Sequence, residues 1–147
     1  MSPDPTVPPR RRRLYLDTSA CLCVLLGEEG AARLSDETAD AELLSSVLLV
    51  LETRRNLIRL AREGTLRADQ YKTCIDRVEQ DTELFLLRDL TLELCESYML
   101  PAVATPRSLD LAHLRTALWF HAAEQIERFV TMDAAQEDAA RELGLPV

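Results

Sequence analysis

Three observations predict an α/β fold with a parallel sheet of four to five strands and helices on both faces. Short apolar runs alternate along the chain with longer stretches of helical periodicity, the pattern of strand–helix–strand units. Two of those runs, Leu14-Tyr15-Leu16 and Phe129-Val130-Thr131-Met132, are followed by an aspartate, at the strand end where such sheets place their ligands. The 147 residues are 47% hydrophobic, enough to bury the core of one ordinary domain, which excludes global disorder.

The elements follow in order. Residues 1–13 hold four of the seven prolines and then Arg10 to Arg13, and are expected to form a disordered tail. The domain is expected over 14–147. Leu14 to Leu16 is the first strand and Thr18 to Leu26 a helix closed by Gly27, with a second helix from Glu29 to Thr38. Ala41 to Leu44 is the next strand. Ser45 or Ser46 then caps a long helix running to Arg62, with Gly64 as its stop. Asp69 is expected to cap a helix reaching Gln80. Leu84 to Leu87 is a third strand and Thr91 to Tyr98 a helix, after which Pro101 and Pro106 bracket a loop. Ser108 is expected to cap a helix from Leu109 to Glu124. Arg128 to Met132 is the fourth strand, Ala134 to Leu143 the last helix, stopped by Gly144, and Leu145 to Val147 a stub of a fifth strand.

Charge and composition narrow the function classes. Seventeen basic residues stand against 25 acidic ones, a net charge of −8, which argues against a polybasic binder driven by counterion release. All but one of the basic residues are arginine; the lysine is Lys72. Cys21, Cys23, Cys74 and Cys95 have no zinc-type spacing and are read as reduced packing residues of a cytoplasmic protein. Asp17 interrupts the apolar run after the arginines, which argues against a signal peptide, and no run is long enough to span a bilayer. No membrane partner is expected.

Four acids carry the functional signal. Asp17 and Asp133 sit at strand ends, where each also suits an N-cap. Asp110 falls in the first turn of a helix. Glu52 lies in a helix beside the apolar run Val47 to Leu51 and needs a partner if it turns inward. Carboxylates that converge repel and raise one another's pKa unless a cation neutralises them. Hard divalent ions with oxygen ligands do this, and such sites hydrolyse phosphodiesters.

The segments Leu16-Asp17-Thr18-Ser19, Glu52 with Arg54-Arg55-Asn56, Leu109-Asp110-Leu111-Ala112-His113-Leu114-Arg115-Thr116-Ala117, and Thr131-Met132-Asp133 resemble the PIN-domain ribonucleases. Their order and spacing look most like the VapC toxins of bacterial toxin–antitoxin pairs. The closing Ala139 to Val147 is similar to the family's last helix and turn. Two positions depart from the pattern: Arg115 stands where a small residue is expected, and Met132 where an aromatic is frequent. The resemblance implies a PIN-like three-layer sandwich and an endoribonuclease dependent on Mg²⁺ or Mn²⁺. Asp17, Glu52, Asp110 and Asp133 would be its catalytic and metal-holding quartet, with Asp17 and Asp110 the most direct ligands. Ser19 and Thr131 would support them by hydrogen bonding. It further implies an RNA substrate, a cognate antitoxin protein and a homodimer.

The arginines fit an RNA track or a solvated face equally well. Glu52, Arg55, Arg59 and Arg62 recur at three- and four-residue steps on one helix face, a candidate path for phosphates. Arg54 falls on the apolar side and hints at a protein interface. The tail arginines read as a solvated charge cluster, or as contacts to RNA or a partner. Tyr15 is expected in the core, Trp119-Phe120 in the core or a dimer contact, and His113 packed and hydrogen-bonded within its helix environment rather than as a general base. A receiver-type phosphoacceptor lacks its late lysine, a haloacid-dehalogenase-type phosphatase its second aspartate (Ser19 stands there), and nucleotide folds their glycine-rich loop. The competing reading is a non-catalytic PIN-like module that binds RNA or protein.

Overall fold

The computed structural model describes residues 2, 4–96, 102–104 and 107–147. Its centre is β1 (Arg13–Leu16), buried on both faces as expected of an inner strand in a parallel sheet. β1 pairs in parallel with β2 (Glu42–Ser46) on one side and with β4 (Arg128–Val130) on the other. β3 (Phe85–Arg88) pairs with β2, giving the order β3-β2-β1-β4. The chain thus reverses its direction of travel across the sheet between β1 and β4, the switch point at which α/β sheets open a crevice.

Period-two alternation along β1 divides the core into two layers. Tyr15 points to one side with Leu44 and Phe129, against Leu114, Ala117 and Phe120 of α6 (Ser108–Ala123) and Ala139 and Ala140 of α7 (Ala134–Glu142). Leu14 and Leu16 point to the other with Val130, against Ala20 and Cys23 of α1 (Thr18–Leu26) and Leu34 of α2 (Ala31–Thr38). On that second side α3 (Leu48–Arg62) and α4 (Ala68–Thr82) pack on each other and on α1, and α5 (Leu92–Glu96) packs on α6. The fold is therefore α/β, with helices on both faces of a four-stranded parallel sheet.

Several expected boundaries move, each for a local reason. Arg13, assigned to the tail, begins β1; its buried guanidinium pairs with Glu42 at 3.2 Å and with Glu124 at 3.7 Å. Ser45 and Ser46 are strand residues rather than the helix cap, because the ladder to β3 continues through both. The Ser46 hydroxyl still accepts the Leu48 N–H at 3.1 Å, so it satisfies a free donor of α3 from one residue outside. Asp69 lies in the first turn of α4, not at its cap. Ser108 is the first residue of α6, which has no side-chain cap. β4 stops at Val130 instead of Met132, because the Met132 N–H donates to the Ser19 hydroxyl at 2.9 Å and leaves the ladder. No fifth strand occurs among the described residues: beside β4, Phe129 N–H donates to the Pro146 carbonyl at 2.7 Å. Gly27 closes α1 as expected, in the left-handed conformation that allows its N–H to return to the last turn. The expected extension of α5 to Tyr98, and Pro101 and Pro106, lie outside the described residues.

The tail arginines face the opposite end of the sheet from the crevice. Arg10 pairs with Glu124, and Arg12 with Glu127 at 2.7 Å. Arg128 pairs with Glu37 at 2.5 Å, so this end absorbs part of the acidic excess. No helix among the described residues is long and apolar enough to cross a membrane.

Candidate functional site

The parallel register sets the first contact. Leu16 is opposite Val130, so the residues that follow them, Asp17 and Thr131, emerge side by side at the switch point. The Asp17 N–H donates to the Val130 carbonyl at 3.1 Å, extending the pairing by one residue. Asp17 is buried and caps α1: its Oδ1 accepts from Ala20 N–H at 3.1 Å and from the Ser19 hydroxyl at 2.7 Å. Its Oδ2 accepts from the Thr131 hydroxyl at 2.5 Å. The Thr131 oxygen also accepts the Asp133 N–H at 3.1 Å and lies 3.1 Å from the Ser19 hydroxyl. Ser19 and Thr131 therefore hold Asp17 by hydrogen bonds.

The other three acids arrive from separate elements. Asp133 is exposed and caps α7, where its Oδ1 accepts from Ala135 and Gln136 N–H. Asp110 stands half-buried in the first turn of α6. The buried Gln136 ties these two helix starts together by donating its amide to the Asp110 carbonyl at 2.9 Å. Glu52 reaches the crevice from α3, and its Oε1 accepts from the Thr18 hydroxyl at 2.9 Å. The same oxygen lies 2.9 Å from His113 Nε2.

Electrostatics tie the four together. Burial raises the Asp110 pKa, and the charges of Asp133, Asp17 and Glu52 raise it further, with Arg107 opposing. Burial also raises Asp17, against the lowering effect of its bonds from Ser19 and Thr131. Glu52 is shifted the other way. Burial pushes its carboxyl up, but the hydrogen bond from His113, the Thr18 bond and the nearby Arg55 together bring it below its ordinary value.

The donor set is all oxygen and acidic, which suits a hard divalent cation. The Asp110 carboxylate is not engaged by a hydrogen bond among the described residues. Among the described residues no three His, Cys, Asp or Glu side chains stand close enough to hold one ion directly. Mg²⁺ commonly takes one or two carboxylates and keeps several waters, so the carboxylate oxygens of Asp17, Asp110, Asp133 and Glu52 fit such an ion in chemistry.

Arg55, Arg59 and Arg62 lie exposed along α3 beyond Glu52, with Arg59 in an ion pair to Glu63 at 3.1 Å. Arg54, half-buried, pairs with Glu79 of α4 at 3.6 Å. Phe120 is core, whereas Trp119 is exposed with the Arg88 guanidinium 4.3 Å above its ring. The described cysteines are free, three of them wholly or partly buried and Cys95 exposed. Sequence reasoning missed Thr18 and Gln136 and placed the hydrogen bonds of His113 within its own helix environment. The usable signal was Glu52: a carboxylate beside an apolar run demands a donor, and His113 is three residues from Asp110 on the same helix face. Neither a protein-family model nor a curated protein matches the chain.

Proposed function

We propose that this chain is a PIN-type endoribonuclease dependent on Mg²⁺ or Mn²⁺, acting as the VapC-like toxin of a toxin–antitoxin pair. The observation that carries the reading is the convergence of four acids from separate elements on the switch point: Asp17 follows β1 beside Thr131, Glu52 bonds Thr18, and Gln136 ties the Asp110 carbonyl to the helix that Asp133 caps. A bound divalent ion supplies a water nucleophile at neutral pH and neutralises charge on the scissile phosphate. Asp17 and Asp110 would hold it, Asp133 would complete or second the coordination, and Glu52 would hold a water on the ion. Arg55, Arg59 and Arg62 offer a phosphate path leading away from Glu52. The toxin role adds a small antitoxin, a homodimer and the cytoplasm as its setting, all from the motif resemblance.

The alternative is a non-catalytic PIN-like module that binds RNA or protein only. Cleavage assays separate the two. The expected result is Mn²⁺-dependent cleavage of RNA, reduced about 100-fold or more in Asp17→Asn and Asp110→Asn, since direct ligands matter more than the outer partners whose loss costs roughly 10- to 100-fold. Circular dichroism checks that both variants fold. Folded wild-type protein that cleaves no cellular RNA with Mn²⁺ leaves the binding module. If nuclease activity is present but induction leaves growth unaffected and no small partner co-purifies, the toxin role is refuted alone.

A further inference from the structure

Behind Glu52 runs a buried polar chain that the acidic quartet by itself does not explain. An ionised carboxylate only accepts hydrogen bonds, so the His113 nitrogen 2.9 Å from Glu52 Oε1 carries a proton. In the neutral ring a proton on Nε2 leaves Nδ1 as the acceptor, and the Tyr15 hydroxyl 2.7 Å away is placed to donate to it. Thr18 closes the arrangement: its hydroxyl donates to the same Glu52 oxygen and lies 3.2 Å from Nε2, where it shares the imidazole proton. Tyr15 is 0% exposed and His113 2%, so neither can turn to water for a substitute partner. The Tyr15 ring is itself clamped, stacked on Phe129 with centroids 5.3 Å apart and set edge-on to His113 at 5.9 Å. The base of the chain is thus a fully buried inner strand of the sheet.

This geometry leaves Glu52 with one oxygen engaged twice, while Oε2 accepts no hydrogen bond among the described residues. Both imidazole nitrogens are engaged, so His113 has no free lone pair with which to take a proton from water. We propose that His113, set in its Nε2–H tautomer by Tyr15, is a positioning residue that fixes the Glu52 carboxylate by one oxygen and leaves the second free for the site. The consequence for activity rests on the ribonuclease reading above; the geometry does not.

Two measurements test it. In metal-free protein labelled with ¹⁵N-histidine, NMR is expected to find the His113 proton on Nε2, protected from exchange and shifted in Glu52→Gln. A proton on Nδ1, or a freely exchanging ring, overturns the proposal. The second compares His113→Leu, which keeps an apolar filler, with His113→Gln, whose amide restores a donor. His113→Leu is expected to lower kcat about 10- to 100-fold with KM for RNA unchanged and to weaken binding of Mn²⁺ alone, while His113→Gln recovers most of both. Equal losses in the two variants, at equal folding cooperativity, reduce His113 to core packing and overturn it. Wild-type protein with a protected Nε2 proton but no RNA cleavage refutes the ribonuclease reading while upholding the positioning of Glu52.

Discussion

Replacing Thr131 by valine removes one hydroxyl from the centre of the acidic crevice and leaves its shape in place. That hydroxyl donates to Asp17 Oδ2 at 2.5 Å and accepts the Asp133 N–H at 3.1 Å. A hydrogen bond to a buried charged group is worth about 1.5–3 kcal/mol. The Asp133 N–H is only partly buried, so stranding it adds about 1 kcal/mol, the low end of the range for an unsatisfied donor. Ser19 keeps its bonds to Asp17 and Met132 and adds nothing. Thr131→Val is therefore expected to destabilise the metal-free protein by about 2.5–4 kcal/mol, a large share of the roughly 5–15 kcal/mol typical of a domain. With a urea slope of about 2 kcal/mol/M, the unfolding midpoint falls by about 1–2 M at unchanged slope. Thr131→Ser keeps the hydroxyl and loses one methyl, about 0.8 kcal/mol.

The effect carries a pH signature. The Thr131 bond lowers an Asp17 pKa that burial has raised, so in Thr131→Val the carboxyl moves higher still. A bond that favours the ionised form contributes fully above that raised pKa and is lost as pH falls through it. The gap between the valine and serine variants should be wide near about pH 7 and narrow toward about pH 4. Urea titrations with EDTA at both pH values measure it. Equal midpoints at neutral pH, or a gap that does not change with pH, would show that the Asp17–Thr131 bond does not organise the crevice.

Two further predictions concern charge. Asp110→Asn should raise the Tm of the metal-free protein at neutral pH, because a carboxyl whose pKa is raised in the fold stabilises it at low pH and loses that contribution as pH rises through the raised value. Its side chain keeps much of its hydration, so the gain is under about 1 kcal/mol, or about 2–4 °C. It should vanish in acid, and Mn²⁺ should reverse the order by stabilising only the wild type. Along α3, replacing Arg55 and Arg62 together by alanine should weaken RNA binding and reduce the slope of log affinity against log salt by about 1.4, the single-strand value for two phosphates. Replacing the paired Arg59 should change it less. Filter binding across a salt series reads both, and an unchanged slope would mark the strip as a solvated helix face.

Much of this architecture was legible from local signals. Leu14 to Leu16 ending at Asp17, Gly27 and Gly144 as stops, and Asp133 before an alanine-rich helix all act within a turn or a strand, where φ/ψ preference and capping decide. The errors fell where a local signal competed with pairing to a distant strand. Ser45 and Ser46 read as caps but extend β2, because their partners Leu87 and Arg88 lie about forty residues away.

The sequence by itself determined the fold class, the two strand-end aspartates and the demand of Glu52 for a donor. All three follow from periodicity and from the cost of burying charge. Only the tertiary structure decided which groups meet. The order β3-β2-β1-β4 sets Asp17 beside Thr131, the helix starts bring Asp110 and Asp133 within range of each other's charge, and His113 answers Glu52 from 61 residues away. Such pairings depend on how sheet and helices pack around one core, and no local preference along the chain encodes that distance.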